Sequence, residues 1–284
     1  MRSPLIDVAT LIAWRQESDP PLVIVDCRAD LADPDAGRRA WLNGHIPGAV
    51  FADLEHDMSG PPVTNRGRHP LPTDSALSAF LGQLGITRAS RVVAYDAHGG
   101  AFAARFWWLA RYAGVESAHV LNGGLAAWSK EIGALELGIH ENRTREFGEV
   151  AMAMPVLTLA ELDPAVSVLL DAREARRYRG EFEPIDPVAG HIPGAFNHPF
   201  VNNLDEEGCF KSSAQLKAGF EAALGRTPDA DTVHYCGSGV TACHNILAQV
   251  AAGLPVPYLY AGSFSEWCNT DGCEVETGPG PGPA

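Results

Sequence analysis

A cysteine at residue 236 opens a short glycine-containing loop whose composition suits nucleophilic chemistry. The apolar run DTVHYC leads into it, and an alanine-rich helical pattern begins near Ala242. Glycines let backbone N–H groups converge on one point, and the N-terminus of the following helix adds a positive partial charge. Both effects favour a thiolate on Cys236, so we predict a nucleophilic cysteine in an anion-binding loop. The loop consists of Gly237, Ser238, Gly239, Val240 and Thr241.

The two halves of the sequence are copies of one unit, because three short blocks recur in the same order. The blocks are Val25-Asp26-Cys27-Arg28 and Leu170-Asp171-Ala172-Arg173, GHIPGA at 44–49 and 190–195, and Tyr95-Asp96 and Tyr235-Cys236. Asp96 therefore stands in the first copy where Cys236 stands in the second. A carboxylate cannot do thiolate chemistry, so the first copy is predicted to be catalytically silent. The paired Asp and Arg residues recur in both copies, which favours a structural role as ion pairs.

Each copy alternates apolar runs with helical patterns. The runs LVIVD and VSVLLD end in an aspartate, and alanine-rich segments follow the second run of each copy. Strands that alternate with helices indicate an α/β domain with a parallel sheet, whose ligands lie beyond the carboxyl ends of the strands. The predicted domains span 1–140 and 155–277. Residues 141–154 are predicted to be a linker, and the Gly/Pro-rich residues 278–284 a disordered tail.

These ordered blocks, together with the sequence Cys236-Gly-Ser-Gly-Val-Thr-Ala-Cys243, resemble the tandem-domain rhodanese-like sulfurtransferases. The resemblance implies two tandem rhodanese-like domains, each a parallel-sheet α/β domain with helices on both faces. It also implies that Cys236 takes a sulfane sulfur from a small-molecule donor and becomes a persulfide. The acceptor would be cyanide or a thiol, such as thioredoxin or a small dithiol, and no metal or organic cofactor is implied.

Within that family, the uncharged loop is similar to that of the 3-mercaptopyruvate sulfurtransferases, whereas members that prefer thiosulfate carry basic residues there. The mercaptopyruvate enzymes are proposed to use a Ser–His–Asp relay. By motif position the relay falls on Ser238, on His69 in RHPLP and on Asp53, the aspartate that ends the segment GHIPGAVFAD. The resemblance therefore implies a proton relay built from residues of both halves of the sequence.

The donor's carboxylate is held in that family by two arginines. The first matches Arg177 in RRYRG, but the second would fall near Asp186 in EPIDP. A carboxylate side chain cannot hold a carboxylate, and Arg179 is the neighbouring basic residue that would replace the missing arginine. Thiosulfate therefore remains an alternative donor.

Other functions fit the cysteines less well. Zinc-binding cysteines usually come in C-x2–4-C pairs, whereas Cys236 and Cys243 are seven residues apart and Cys268 and Cys273 are five apart. A Cys-x5-Arg phosphatase would need an arginine at position 242, which is Ala242. A non-catalytic module that binds partner proteins is the remaining alternative, and the intact Cys236 loop argues against it.

The composition limits the partners. The 284 residues contain 21 Lys and Arg against 35 Asp and Glu, so the formal charge is −14. Such an acidic chain lacks the broad positive field that nucleic acid or an anionic membrane requires. The N-terminal stretch MRSPLIDVATLIAWRQ resembles a short strand and an amphipathic helix rather than a signal peptide. We therefore expect reduced thiols and a cytoplasmic location. Without a firm signal for oligomerisation, we expect a monomer.

Overall fold

The chain folds into two compact α/β units, seen in a computed structural model that describes residues 3–61, 63 and 66–281. Unit 1 comprises Met1–Gly60, Leu71–Met154 and Glu206–Phe210. Unit 2 comprises Pro61–Pro70, Pro155–Asp205 and Lys211–Ala284. Within the described part of the chain, no helix is both long enough and apolar enough to cross a membrane.

Unit 1 is a five-stranded parallel sheet in the order β1-β5-β4-β2-β3. Its strands are β1 (Leu5–Ile6), β2 (Leu22–Asp26), β3 (Ala49–Phe51), β4 (Arg91–Tyr95) and β5 (Ala118–Leu121). Its helices are α1 (Val8–Arg15), α2 (Ala36–Asn43), α3 (Asp74–Gln83), α4 (Ala103–Ala113) and α5 (Gly124–Glu131). The apolar runs become strands because parallel strands covered on both faces bury nearly every side chain.

Unit 2 repeats this architecture with the strand order β6-β10-β9-β7-β8, again all parallel. The strands are β6 (Val156–Leu157), β7 (Val168–Asp171), β8 (Phe196–Asn197), β9 (Thr232–Tyr235) and β10 (Tyr258–Tyr260). The helices are α6 (Ala175–Tyr178), α7 (Ser213–Leu224), α8 (Val240–Ala251) and α9 (Ser263–Trp267). The predicted fold class is confirmed.

The segments outside the predicted domains are parts of the two units and are hydrogen-bonded within them. In the predicted linker, the Arg145 N–H donates to the Gly82 carbonyl at 2.9 Å, and the Ala153 N–H donates to the Tyr112 carbonyl at 2.9 Å. In the predicted tail, the Gly278 N–H donates to the Arg179 carbonyl at 3.0 Å. Residues 282–284 of that tail lie outside the described residues.

The repeated Asp and Arg pairs join the end of a strand to the GHIPGA turn. Arg28 donates to the Asp26 carboxylate at 2.6 Å and to the Gly44 carbonyl at 2.8 Å. Arg173 likewise donates to Asp171 and to the Gly190 carbonyl, both at 2.7 Å. The predicted structural role of these pairs is confirmed, since each arginine fixes the turn to its sheet.

Replacing Arg28 with methionine should destabilise the protein strongly. Asp26 is fully buried, and without Arg28 its charge would lose its ion-pair partner. We expect the free energy of unfolding, measured in urea, to fall by about 3–5 kcal/mol. The matched control is Arg39→Met, which removes an exposed ion pair with Asp33 and should cost far less, because water screens that pair. Equal losses in the two variants would contradict this account of the buried pair.

A buried histidine makes unit 2 sensitive to acid. The His234 ring is fully buried, and its Nε2 lies 2.8 Å from Oε1 of Gln249, to which the neutral ring donates. Burial lowers the pKa of His234 to about 4. In the unfolded chain the same ring would take up a proton near pH ~6.5. Between these two values the unfolded state binds one more proton than the folded state, so stability is lost as the pH falls.

We expect His234 alone to remove about 3 kcal/mol of stability between pH ~6.5 and pH ~4. The measurement is the free energy of unfolding across that range for the wild type and for His234→Gln, which cannot titrate. The wild type should lose more stability than the variant by that amount. Parallel curves for the two proteins would show that His234 does not contribute to acid sensitivity.

Candidate active site

Cys236 lies directly after β9 and immediately before the loop that begins α8. Its side chain is almost fully buried, and the N–H of Gly239 donates to its sulfur at 3.2 Å. The helix begins at Val240, so its positive end faces the same region. A negative charge on this sulfur is therefore stabilised by a backbone hydrogen bond and by the helix N-terminus.

Glycine is required at position 239 for two reasons. Its φ of +80° lies in the left-handed region, which side-chain-bearing residues rarely adopt. A Cβ atom at this position would also lie 2.5 Å from the Ala261 carbonyl oxygen. The loop can close around the sulfur only because this residue has no side chain.

Helix α9 fixes the outer edge of the loop. The N–H of Cys236 donates to Oγ of Ser263 at 3.1 Å. In return, the N–H groups of Phe264 and Ser265 donate to the carbonyls of Cys236 and Gly237, both at 2.9 Å. These bonds satisfy the loop's outward backbone groups and hold its shape.

The segment that carries His69 belongs to unit 2, although it lies in the first half of the sequence. Nδ1 of His69 and Oγ of Ser238 are 2.7 Å apart, and both residues are buried. The neighbouring Arg68 N–H donates to Oγ of Ser265 at 3.1 Å, which anchors the segment beside the loop. The structure thus brings together two of the three residues of the predicted relay.

Asp53 lies in unit 1, in the turn that follows β3. Its Oδ1 accepts the N–H groups of Glu55 at 2.9 Å and His56 at 3.0 Å, and it also lies 3.0 Å from Nδ1 of His56. The Asp53 carboxylate raises the pKa of His56 through this hydrogen bond. The membership of Asp53 in the proton relay stays a prediction.

Arg177 lies on α6, where two carboxylates hold its guanidinium. Glu183 accepts from Nη2 at 2.7 Å and from Nε at 3.0 Å, and Asp186 accepts from Nη2 at 3.1 Å. Asp186 also forms an ion pair with Arg68. Arg179 pairs instead with the exposed Glu181 at 2.6 Å. Asp186 therefore binds two arginines in the region where the family resemblance implies an arginine.

Both of these arginines reach the cysteine loop. A Cβ atom on Gly237 would lie 2.9 Å from Nη2 of Arg68 and 3.7 Å from each Nη atom of Arg177. Sequence reasoning missed Arg68 and Glu183. The only signal for Arg68 was its position beside His69, and that position alone does not place it at the loop.

In unit 1, the corresponding loop is occupied by its own carboxylate. Oδ1 of Asp96 accepts the N–H groups of His98 and Gly100, and Oδ2 accepts those of Phe102 and Ala103, all at 2.8–2.9 Å. In both copies the backbone N–H groups of the loop therefore donate to the side chain that follows the strand. In unit 1 that side chain is a carboxylate with four such bonds, and the silence of this copy stays a prediction.

Other thiols are poorly suited to act as nucleophiles. Burial raises the pKa of Cys27 well above its usual value. Burial, reinforced by the charge of Asp186, raises the pKa of Cys268 to about 11. Cys243 is fully buried in α8, where its thiol donates to the Gly239 carbonyl at 3.3 Å. Among the described residues, no group of three His, Cys, Asp or Glu side chains is placed to hold a metal ion.

Comparisons with known sequences identify relatives along nearly the whole chain. The model of the rhodanese-like domain matches twice, at residues 9–131 and 157–270. A probable 3-mercaptopyruvate sulfurtransferase of Pseudomonas aeruginosa is 47% identical over 267 residues, covering 92% of this chain and 94% of the relative. A putative thiosulfate sulfurtransferase of Mycobacterium tuberculosis is 38% identical over 271 residues, covering 93% of each chain.

Solved structures show the same similarity. A 3-mercaptopyruvate sulfurtransferase from Leishmania major has a TM-score of 0.83 and 29% identity, covering 93% of this chain and 74% of that one. A 3-mercaptopyruvate sulfotransferase from Escherichia coli has a TM-score of 0.78 and 32% identity, covering 93% of this chain and 99% of that one.

Proposed function

The chain belongs to the rhodanese-like sulfurtransferase family, and we propose that it moves a sulfur atom from 3-mercaptopyruvate to a thiol or to cyanide. The choice of donor rests on the 2.7 Å contact between Ser238 and His69. Ser238 lies on the loop, two residues after Cys236. Removing sulfur from carbon leaves a carbanion equivalent that needs a proton. A hydroxyl paired with a histidine is suited to deliver one.

In the first half-reaction, the Cys236 thiolate attacks the sulfur of 3-mercaptopyruvate. An S–S bond forms, the C3–S bond breaks, and its electron pair leaves with C3 as the enolate of pyruvate. The proton of the donor thiol stays with the Cys236 persulfide. The methyl group of pyruvate takes a separate proton, equivalent to the one that Cys236 lost when it ionised. The N–H of Gly239 and the N-terminus of α8 stabilise the sulfur anion throughout.

We assign proton delivery to C3 to Ser238, whose hydroxyl exchanges its proton with His69. Asp53 is kept as the third member of the relay on its motif position alone. The backbone of Gly237, Val240 and Thr241 completes the loop around the transferred sulfur. Arg177 is assigned to the carboxylate of the donor, because its guanidinium lies beside Gly237.

In the second half-reaction, an acceptor thiolate attacks the outer sulfur of the persulfide. The S–S bond breaks, the Cys236 thiolate is released, and the acceptor leaves as a persulfide. Cyanide reacts in the same way and leaves as thiocyanate. We propose thioredoxin or a small dithiol as the thiol acceptor, a cytoplasmic location and a monomeric state.

Thiosulfate is the second candidate donor, because a relative that is 38% identical over 271 residues is named a putative thiosulfate sulfurtransferase. Its attack by Cys236 would release sulfite, which needs no proton. The deciding experiment is kcat/KM for 3-mercaptopyruvate and for thiosulfate, each with cyanide and then with a dithiol. A higher value for 3-mercaptopyruvate supports the proposal. A higher value for thiosulfate would replace it, and turnover of neither donor by folded protein would favour the binding-module alternative.

A further inference from the structure

We propose that Arg68 is a second donor-binding residue, and that Asp186 sets the charge of the donor that this site accepts. The inference deepens the proposed function and rests on it for the identity of the donor. The two arginines come from distant parts of the sequence, the segment before Pro70 and helix α6, and both belong to unit 2. Their guanidinium groups meet over Gly237, the residue that follows the nucleophile.

The carboxylates hold the arginines from one side. Asp186 accepts hydrogen bonds from Nη1 of Arg68 and from Nη2 of Arg177. Glu183 accepts hydrogen bonds from Nε and Nη2 of Arg177. This leaves Nη2 of Arg68 and Nη1 of Arg177 without a hydrogen-bond partner among the described residues. Both of these nitrogens lie within 4 Å of the Cβ position of Gly237. Two N–H-bearing groups thus converge beside the loop, an arrangement that suits the two oxygens of a carboxylate.

Asp186 is more deeply buried than the two arginines that it binds. Its side chain is 1% exposed, whereas those of Arg68 and Arg177 are 32% and 14% exposed. The carboxylate is therefore a fixed bridge that orients both guanidiniums, and the arginines remain within reach of a small molecule. An arginine at position 186 is unnecessary, because Arg68 supplies the second guanidinium from another direction.

The charges of this cluster balance. Arg68 and Arg177 carry two positive charges, and Glu183 and Asp186 carry two negative ones. Arg173 also reaches Glu183, at 3.4 Å, and its charge is balanced by Asp171. Such a site recognises a carboxylate by directed hydrogen bonds and offers no excess positive charge to a dianion. We therefore infer that Asp186 favours a monoanionic α-keto acid such as 3-mercaptopyruvate over the thiosulfate dianion.

The first test needs no turnover. Iodoacetate and iodoacetamide both alkylate a thiolate, which attacks the CH2 group and expels iodide, but only iodoacetate carries a carboxylate. The measurement is the ratio of the two rates at Cys236, read from the peptide by mass spectrometry. Loss of one charged hydrogen bond predicts a ratio about tenfold lower in Arg68→Gln than in the wild type. Asp186→Asn should raise the ratio, because it removes a competing negative charge.

The second test uses both donors. Arg68→Gln should raise KM for 3-mercaptopyruvate about tenfold while changing kcat by less than about threefold. Asp186→Asn should raise kcat/KM for thiosulfate relative to that for 3-mercaptopyruvate by about fivefold or more. Arg179→Gln is the matched control, because its exposed partner Glu181 lies outside the cluster. Arg68→Lys keeps the positive charge but loses the planar pair of N–H donors. Its KM for 3-mercaptopyruvate should lie between those of the wild type and Arg68→Gln.

The outcomes separate the two hypotheses. If the wild type fails to turn over 3-mercaptopyruvate but the alkylation ratio shifts as expected, the donor is wrong and the anion site stands. If turnover is normal and the ratio in Arg68→Gln, checked for folding by its melting temperature, stays within about twofold of the wild type, Arg68 does not bind the donor. An unchanged donor preference in Asp186→Asn would overturn the role of that carboxylate.

Discussion

Replacing Cys236 with serine should lower sulfur transfer from either donor by about a thousandfold or more. Serine has nearly the same shape, but its hydroxyl is not ionised at neutral pH and cannot form a persulfide. The Gly239 N–H would still find an acceptor at this position, so the loop should keep its shape. The measurement is kcat/KM with cyanide as acceptor, together with the melting temperature of the variant.

The matched control for this variant is Cys273→Ser. Cys273 is partly exposed, and burial together with Glu266 raises the pKa of its thiol. We expect the activity of this control to equal that of the wild type. Substantial activity in the Cys236→Ser variant would show that another thiol carries the sulfur.

Replacing Ser238 with alanine should separate the two donors. The variant should lose about 100-fold in kcat for 3-mercaptopyruvate, because proton delivery to the leaving enolate loses its hydroxyl. Thiosulfate turnover should change by less than about threefold, because sulfite leaves without a proton. Thiosulfate therefore serves as an internal control for the integrity of the Cys236 loop in the same variant.

The two activities are measured on one preparation with cyanide as acceptor. A parallel variant, His69→Gln, should show the same selective loss, since His69 and Ser238 are in direct contact. Equal losses for the two donors would remove the relay from the mechanism. They would point to a purely structural role for the contact between these residues.

The sequence was sufficient to predict the architecture and the position of the Cys236 loop between a strand and a helix. The apolar runs that end in Asp26 and Asp171 became β2 and β7, and the run before Cys236 became β9. Such runs are reliable because a parallel strand is buried on both faces and ends where polar residues begin. The shape of the loop was equally local, since a glycine at position 239 permits the left-handed conformation found there.

The anion site could not be predicted, because it depends on residues that are far apart in the chain. Nothing in the sequence shows that residues 66–70 pack with unit 2 rather than with their neighbours along the chain. Asp186 was therefore interpreted as the loss of an arginine. In the structure it is the bridge that joins Arg68 to Arg177. A substitution that removes a charge from one position can be matched by a charge supplied from another segment.

If Cys236 carries the transferred sulfur as a persulfide, the modified protein can be observed directly. The protein is treated with 3-mercaptopyruvate in the absence of an acceptor, and its intact mass is measured. We expect a gain of one sulfur atom, mapped to the peptide that contains Cys236, with release of one pyruvate. Cyanide should then remove the added sulfur as thiocyanate, and Cys236→Ser should gain nothing. Pyruvate release without a mass gain, or a gain mapped to another cysteine, would contradict the claim.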